Sequence, residues 1–106
     1  MSLSERQRKF ARMVGHLILW AYEHGYELTL GDAYRDPRCP YGSTQSKHHS
    51  RLAVDLNLFV DGVYRPDTDA YTPLGEYWES IGGVWGGRFD GPGGAPTGDG
   101  NHFEIG

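Results

Sequence analysis

The sequence predicts an α+β fold: a small single domain over residues 1–106, with an antiparallel sheet, a long N-terminal helix and a short second helix. Apolar residues recur at helical spacing in the first 25 positions, whereas most other regular segments alternate between apolar and polar residues as strands do. This segregation of helices and strands favours an α+β arrangement. A chain of 106 residues, 38% of them apolar, has room for one modest core.

The long helix is predicted to begin after Ser2, because residues 2–5 read SLSE, the pattern of a capping box. Gly25 is its predicted end. The residues expected to face the core recur at helical spacing: Phe10, Met13, Val14, Leu17, Ile18 and Ala21. A strand over residues 26–30 follows, since its apolar and polar residues alternate.

Three further strands are predicted from alternation. The longest covers residues 53–60, and Asp61-Gly62 forms a hairpin turn into a strand at residues 63–64. The last strand lies within residues 101–105. Because strands 53–60 and 63–64 are joined by a two-residue turn, the sheet is expected to be antiparallel.

The short helix is predicted to start at Thr72 as N-cap, with Pro73 at its first position, and to run through Ile81. Residues 36–50 and the region from Trp85 are rich in glycine or proline and are predicted to be loops. Loops of this length in a small domain tend to be functional or mobile.

Composition excludes several classes of protein. Ten Lys and Arg residues stand against fourteen Asp and Glu residues, and this net charge of -4 argues against nucleic acid as a partner. The single cysteine, Cys39, cannot form an internal disulfide. No apolar run is long enough for an integral membrane segment, and the N-terminus lacks the pattern of a signal peptide. We therefore expect synthesis in the cytoplasm.

The polar faces of two strands carry the residues of chemical interest. Alternation places Asp55 opposite the apolar face of its strand, and places His102 and Glu104 together on the polar face of the last strand. His48 precedes Asp55 by seven residues and is able to fold back over the strand. Two histidines and one aspartate provide three ligands, the number that suits a catalytic zinc ion. Taken alone, this spacing is weak, and a loop histidine beside a hydrogen-bonded strand aspartate explains it better.

Three sequence blocks, taken together, resemble a known family. They are S-x-H-x(4)-A-x-D at residues 46–55, W-G-G at residues 85–87 and D-x-x-H-F-E at residues 99–104. In this order they resemble the zinc D,D-carboxypeptidases and L-Ala-D-Glu endopeptidases, which include VanY-type enzymes and phage endolysins and have the Hedgehog/DD-peptidase fold. One departure is Arg51, which stands where the family usually has glycine.

The resemblance implies one zinc ion, held by His48, Asp55 and His102. It implies that Asp99 is the general base, accepting a proton from the water that zinc activates and passing it to the leaving amine. His49 is excluded as the ligand because the family spacing to Asp55 selects His48.

Further roles follow from the same resemblance. Arg35 is expected to bind substrate or stabilise the oxyanion, with a surface ion pair to a neighbouring aspartate as the alternative. Gln45 is expected to contact substrate, and Ser46 to hydrogen-bond either substrate or the groups that surround the zinc ligands. Glu104 is expected to orient a zinc ligand, although an ordinary carboxylate on the strand face is the alternative.

The implied function is that of a zinc-dependent peptidoglycan peptidase, similar to phage endolysins that cleave the L-alanyl-D-glutamate bond. Two alternatives stay open: D-alanyl-D-alanine carboxypeptidase activity and a catalytically idle zinc-binding module. The expected partners are peptidoglycan stem peptides, and we expect a monomer. Without a signal peptide, the protein is expected to reach the cell wall through a holin or another export route.

Overall fold

The computed structural model describes residues 1–31, 52–88 and 100–106 of the chain. Within these residues, five strands form an antiparallel sheet that packs against two α-helices. The predicted α+β class is therefore confirmed. The predicted loop at residues 36–50 and most of the glycine-rich region that follows Arg88 lie outside the described residues.

Helix α1 covers Leu3–Glu23 and begins as its sequence predicts. The Ser2 hydroxyl accepts a hydrogen bond from the Glu5 N–H at 3.1 Å, and the Glu5 carboxylate accepts one from the Ser2 N–H at 3.2 Å. This reciprocal pair satisfies two backbone donors that the first helical turn leaves without partners. The predicted core face is also confirmed, with Phe10, Met13, Leu17 and Ala21 buried and Val14 and Ile18 partly buried.

The strands are β1 (Tyr26–Leu30), β2 (Ala53–Val60), β3 (Val63–Arg65), β4 (Val84–Trp85) and β5 (His102–Glu104). Their order in the sheet is β1-β2-β5-β4, with β3 also paired to β2. Strand β2 is thus central: β1 lies along one of its edges, and β3 and β5 share the other. Asp61 and Gly62 both have positive φ, as a tight hairpin turn between β2 and β3 requires.

Helix α2 covers Thr72–Ser80 and differs from the prediction at its start. A 3₁₀ turn over Thr68–Tyr71 leads directly into it, so the N-cap is Tyr71 and Thr72 already has helical dihedral angles. The Thr72 N–H bonds to the Asp69 carbonyl, which the preceding turn supplies. The prediction of Thr72 as N-cap was therefore wrong, because the 3₁₀ turn supplies a backbone acceptor in place of a side-chain cap.

The predicted loop from Trp85 begins instead with strand β4, whose Trp85 is buried between two glycines. An ideal Cβ on Gly75 would lie 2.1 Å from the Trp85 ring, and one on Gly87 would lie 2.3 Å from it. Only glycine permits this close packing of α2 and the following 3₁₀ turn against the indole. The motif W-G-G thus has a packing role in the core.

The sheet buries one face against the helices. Val54, Leu56 and Leu58 of β2 face this core together with Phe103 of β5, as the alternation predicts. Asp55, Asn57 and Phe59 lie on the other face and are only partly buried. Across the part of the chain that is described, no helix has the length and apolar character needed to cross a membrane.

Candidate metal centre

Strands β2 and β5 bring Asp55 and His102 together. The two residues are direct partners in the register of the antiparallel pair, so their side chains project from the same face. Asp55 Oδ1 lies 3.3 Å from His102 Nδ1, and the two side chains are only 18% and 10% exposed. Two of the three predicted zinc ligands are therefore adjacent.

Glu104 contacts the opposite nitrogen of the same imidazole. His102 Nε2 lies 2.8 Å from Glu104 Oε1, a hydrogen bond between residues two apart on one strand face. Each ring nitrogen therefore faces a carboxylate, Nε2 that of Glu104 and Nδ1 that of Asp55, and a protonated Nε2 donates to Glu104. In metal sites such a contact fixes the ring orientation and the tautomer of the histidine ligand.

The cluster of Asp55, His102 and Glu104 favours a positive charge at the imidazole. Burial of His102 has the largest single influence on its pKa and acts to lower it. The hydrogen bonds and negative charges of Asp55 and Glu104 act in the opposite direction and prevail, so the pKa of His102 lies above its ordinary value. Two carboxylates that flank one largely buried imidazole favour either a proton or a metal cation at this place.

The separation of the two predicted ligands suits zinc. Zinc binds nitrogen and oxygen at about 2.0–2.1 Å, so two ligands on a tetrahedral ion lie about 3.3–3.4 Å apart. Asp55 Oδ1 and His102 Nδ1 are 3.3 Å apart. Imidazole and carboxylate are also the donors that catalytic zinc sites use. The described part of the centre therefore fits the predicted metal.

Backbone hydrogen bonds hold β2 near Asp55 on both sides, one to the residue after β1 and one to the residue before β5. The Gly31 N–H donates to the Asp55 carbonyl at 2.8 Å, and the Leu56 N–H donates to the Asn101 carbonyl at 2.9 Å. An ideal Cβ on Gly31 would lie 3.1 Å from Asp55 Cβ, so glycine keeps the space beside this carboxylate open. Both flanks of Asp55 are thereby fixed by hydrogen bonds.

Trp85 holds the backbone next to the candidate centre, a role that the sequence did not reveal. Its Nε1–H donates to the Gly100 carbonyl at 2.8 Å, two residues before His102. Trp78 Nε1–H donates to the Glu104 carbonyl at 2.9 Å. The two indoles anchor the backbone on either side of the His102 imidazole. The sequence feature that marks this role is the W-G-G motif, although its tryptophan is predicted to lie in a loop.

The remaining predicted site residues lie outside the described part of the chain. They are His48, Asp99, Arg35, Ser46 and Gln45. Within residues 1–31, 52–88 and 100–106, no group of three or more His, Cys, Asp or Glu side chains is arranged to hold a metal ion. The roles of all predicted site residues therefore stay predictions, including those of Asp55, His102 and Glu104.

Glu104→Gln is expected to weaken zinc binding about 10- to 100-fold without unfolding the protein. The amide keeps the size of the carboxylate but loses the charge that makes His102 a better ligand. Competition with a chromophoric chelator measures the change in affinity. Glu76→Gln is the matched control, because Glu76 is an exposed glutamate on α2. Equal zinc affinity in the Glu104→Gln and Glu76→Gln variants would contradict a role for Glu104 in orienting the ligand.

Comparisons with known proteins bear on the family and the fold of the chain. A family model described as D-alanyl-D-alanine carboxypeptidase matches residues 41–105. Among solved structures, the L-Ala D-Glu endopeptidase ChiX of Serratia marcescens is similar, with a TM-score of 0.71 and 17% sequence identity. The alignment covers 97% of this chain and 85% of that one. No curated protein matches the chain.

Proposed function

Because the chain belongs to the D-alanyl-D-alanine carboxypeptidase family of peptidases, we propose that it is a zinc-dependent hydrolase of peptidoglycan stem peptides. We further propose that it acts as an endopeptidase on the L-alanyl-D-glutamate bond, in the manner of a phage endolysin. The family match spans residues 41–105 and therefore includes all the predicted zinc ligands and the predicted base.

The observation that carries the proposal is the contact between Asp55 and His102. These residues come from separate parts of the sequence, and each belongs to a block that resembles the family. Their donor atoms are 3.3 Å apart on the face of the sheet opposite the core. A chance pair of polar strand residues has no reason to combine direct pairing, extensive burial and a second carboxylate on the far side of the imidazole.

The proposed chemistry assigns a task to each residue. Asp55, His102 and His48 would hold the zinc ion. Zinc, when bound, acts as a Lewis acid that polarises a carbonyl and lowers the pKa of water towards neutrality. Glu104 keeps the proton on Nε2 of His102, so that Nδ1 is available as a ligand.

Two further residues complete the proposed reaction. The Asp99 carboxylate would accept a proton from the attacking water and deliver it to the nitrogen of the leaving amine, while the carbonyl carbon gains the water oxygen and its bond to that nitrogen breaks. The Arg35 guanidinium donates hydrogen bonds to the carbonyl oxygen as negative charge develops there.

D-alanyl-D-alanine carboxypeptidase activity is the second candidate, and the description of the matching family favours it. The ligands and the base would be the same. Arg35 would then bind the free carboxylate of the terminal D-alanine, for which its planar fork of donors is suited.

The two activities are separated by mass spectrometry of muropeptides digested by the purified protein. Cleavage after L-alanine is expected, and a chelator should abolish it until zinc is restored. Loss of a single D-alanine would instead support the carboxypeptidase. Activity that survives complete removal of zinc would contradict the proposed mechanism, and the absence of any cleavage would contradict peptidase function.

The substrate also defines where the protein would act. Stem peptides lie outside the inner membrane, so an endolysin made in the cytoplasm needs a holin or another export route. We propose that the protein acts on the cell wall as a monomer after such release. Size-exclusion chromatography with light scattering measures the oligomeric state directly.

A further inference from the structure

We propose that the face of the sheet opposite the core carries a saccharide subsite that binds the glycan attached to the stem peptide. The subsite is formed by Phe59, Tyr64, Thr29 and Glu27. The inference rests on the proposed function and extends it from the peptide to the sugar. It concerns residues that the predicted zinc site does not use.

The strand register places these side chains on the face that also carries Asp55. Phe59 pairs with Glu27 of β1 and with Tyr64 of β3, so these three residues form one row across the sheet. Thr29 and Asn57 form the next row towards the zinc site. Asp55 and His102 occupy the row after that. Side chains two apart on a strand share a face, which makes the three rows one continuous surface.

The distance between the rows suits a peptide with its sugar. At about 3.3–3.4 Å per residue, Phe59 lies roughly 13 Å along β2 from Asp55. An extended peptide spans at most about 3.3–3.6 Å per residue, so about four residues cover this distance. The glycan is joined to the N-terminal end of the stem peptide through a lactyl group. For cleavage at the L-alanyl-D-glutamate bond, one alanine and the lactyl group separate the cleaved bond from the first sugar, so the sugars begin short of the Phe59 row and the disaccharide extends towards it.

The chemistry of this row suits a sugar ring. The Phe59 and Tyr64 rings are 5.6 Å apart and tilted by 51°, and Tyr64 is 49% exposed. Aromatic faces carry partial negative charge and pack against the polarised C–H groups of a pyranose. The Glu27 carboxylate and the Thr29 hydroxyl, both exposed, are able to hydrogen-bond the hydroxyl and acetamido groups at the rim of the ring.

A surface groove borders the Glu27–Phe59 end of this row at the outer edge of β1, and Tyr64 does not line it. It is lined by Tyr22, Glu27, Leu28, Thr29 and Phe59 and has a volume of about 200 Å³, a size suited to a single sugar ring. Tyr22 forms one wall, since its hydroxyl is held at 3.3 Å by both the N–H and the carbonyl of Leu28. None of these lining residues is cationic, and a phosphate-rich ligand is thereby disfavoured. Aromatic, hydroxyl and carboxylate groups together favour a neutral saccharide.

The first test compares two substrates: a stem peptide alone and the same peptide carrying its disaccharide. The wild-type protein is expected to cleave the sugar-bearing substrate with a kcat/KM about tenfold higher. Tyr64→Ala should remove about five- to tenfold of this advantage, equivalent to roughly 1.0–1.4 kcal/mol, and leave cleavage of the free peptide unchanged. Val63→Ala is the control, because Val63 is 61% exposed on the opposite face of β3.

The aromatic pair also packs between β2 and β3, so a second variant separates binding from folding. Glu27→Ala combined with Thr29→Ala removes exposed polar groups and is expected to preserve the thermal unfolding temperature while reducing the preference for the sugar-bearing substrate. A titration monitored by amide chemical shifts, with peptide-free glycan and zinc-free protein, should show shifts confined to β1, β2 and β3.

The outcomes distinguish this inference from the proposed function. Equal rates on the two substrates, with no chemical-shift change on addition of glycan, would overturn the saccharide subsite and leave the peptidase intact. Failure to cleave either substrate would contradict the peptidase function, and the glycan titration would still decide whether the subsite exists.

Discussion

Replacement of Asp55 by alanine is expected to remove the zinc ion from the protein and to lower its peptidase activity roughly a thousandfold or more. Asp55 Oδ1 lies 3.3 Å from His102 Nδ1, and both side chains are largely buried. Without the carboxylate, His102 loses one of the two negative groups that make this place attractive to a cation. Zinc content per chain, measured by elemental analysis after dialysis, should fall from about one to near zero.

A stability measurement gives this prediction a readout that does not depend on activity. A ligand that binds only the folded state stabilises it by about 2.7 kcal/mol at one hundred times its dissociation constant. Zinc should therefore raise the unfolding temperature of the wild-type protein and leave that of the Asp55→Ala variant unchanged. Asp69→Ala, which alters an exposed aspartate in the 3₁₀ turn, should behave as the wild type does. Full zinc content in Asp55→Ala would contradict the ligand role.

Alternation was enough to predict which strand face carries the site residues, but it did not predict that Asp55 and His102 lie opposite each other. Alternation placed Asp55 away from the core of its strand and did the same for His102 and Glu104. The direct opposition of Asp55 and His102 depends on the register of β2 with β5, which joins distant parts of the chain. Register is set by the whole buried face of the sheet, here by Val54 against Phe103, and no local pattern contains it.

The elements that the sequence missed are the short ones. Strand β4 has two residues, too few for any alternation to be visible. The turn over Thr68–Tyr71 has no hydrophobic period, and the buried Tyr71 identifies its role only in the folded protein. There the Tyr71 hydroxyl accepts a hydrogen bond from the N–H of Leu58 at 3.0 Å. Such elements are specified by tertiary contacts and not by local propensity.

The aromatic row of the sheet illustrates a different limit. Alternation along β2 puts Phe59 on the same face as Asp55 and Asn57, as an apolar residue among polar ones. Its pairing with Tyr64 became visible only with the register of the hairpin. The face that Phe59 occupies can be read from alternation, whereas its partner across the hairpin cannot.

Asp99→Asn is expected to retain about one zinc ion per chain and to lower kcat roughly 10²- to 10⁴-fold, the usual contribution of a general acid–base group. Asparagine preserves the shape of the side chain and removes its ability to accept a proton. Asp99 precedes Gly100, whose carbonyl is held by Trp85 Nε1 at 2.8 Å and whose ideal Cβ would lie 2.8 Å from Thr68 Cα. The backbone at Gly100, two residues before His102, is therefore held in place.

The combination of zinc content and turnover decides between the roles of Asp99. Zinc retained with turnover lost identifies a base, whereas zinc lost in both Asp99→Asn and Asp99→Ala identifies a ligand and contradicts the proposed assignment. Unchanged turnover in both variants would exclude Asp99 from proton transfer. A wild-type protein that binds zinc but cleaves no muropeptide would instead be the idle zinc-binding module, and the two variants would then have no turnover to lose. Asp55→Ala is expected to remove the metal, whereas Asp99→Asn is expected to remove only the proton transfer. Comparison of the two variants therefore distinguishes binding of the zinc ion from catalysis with it.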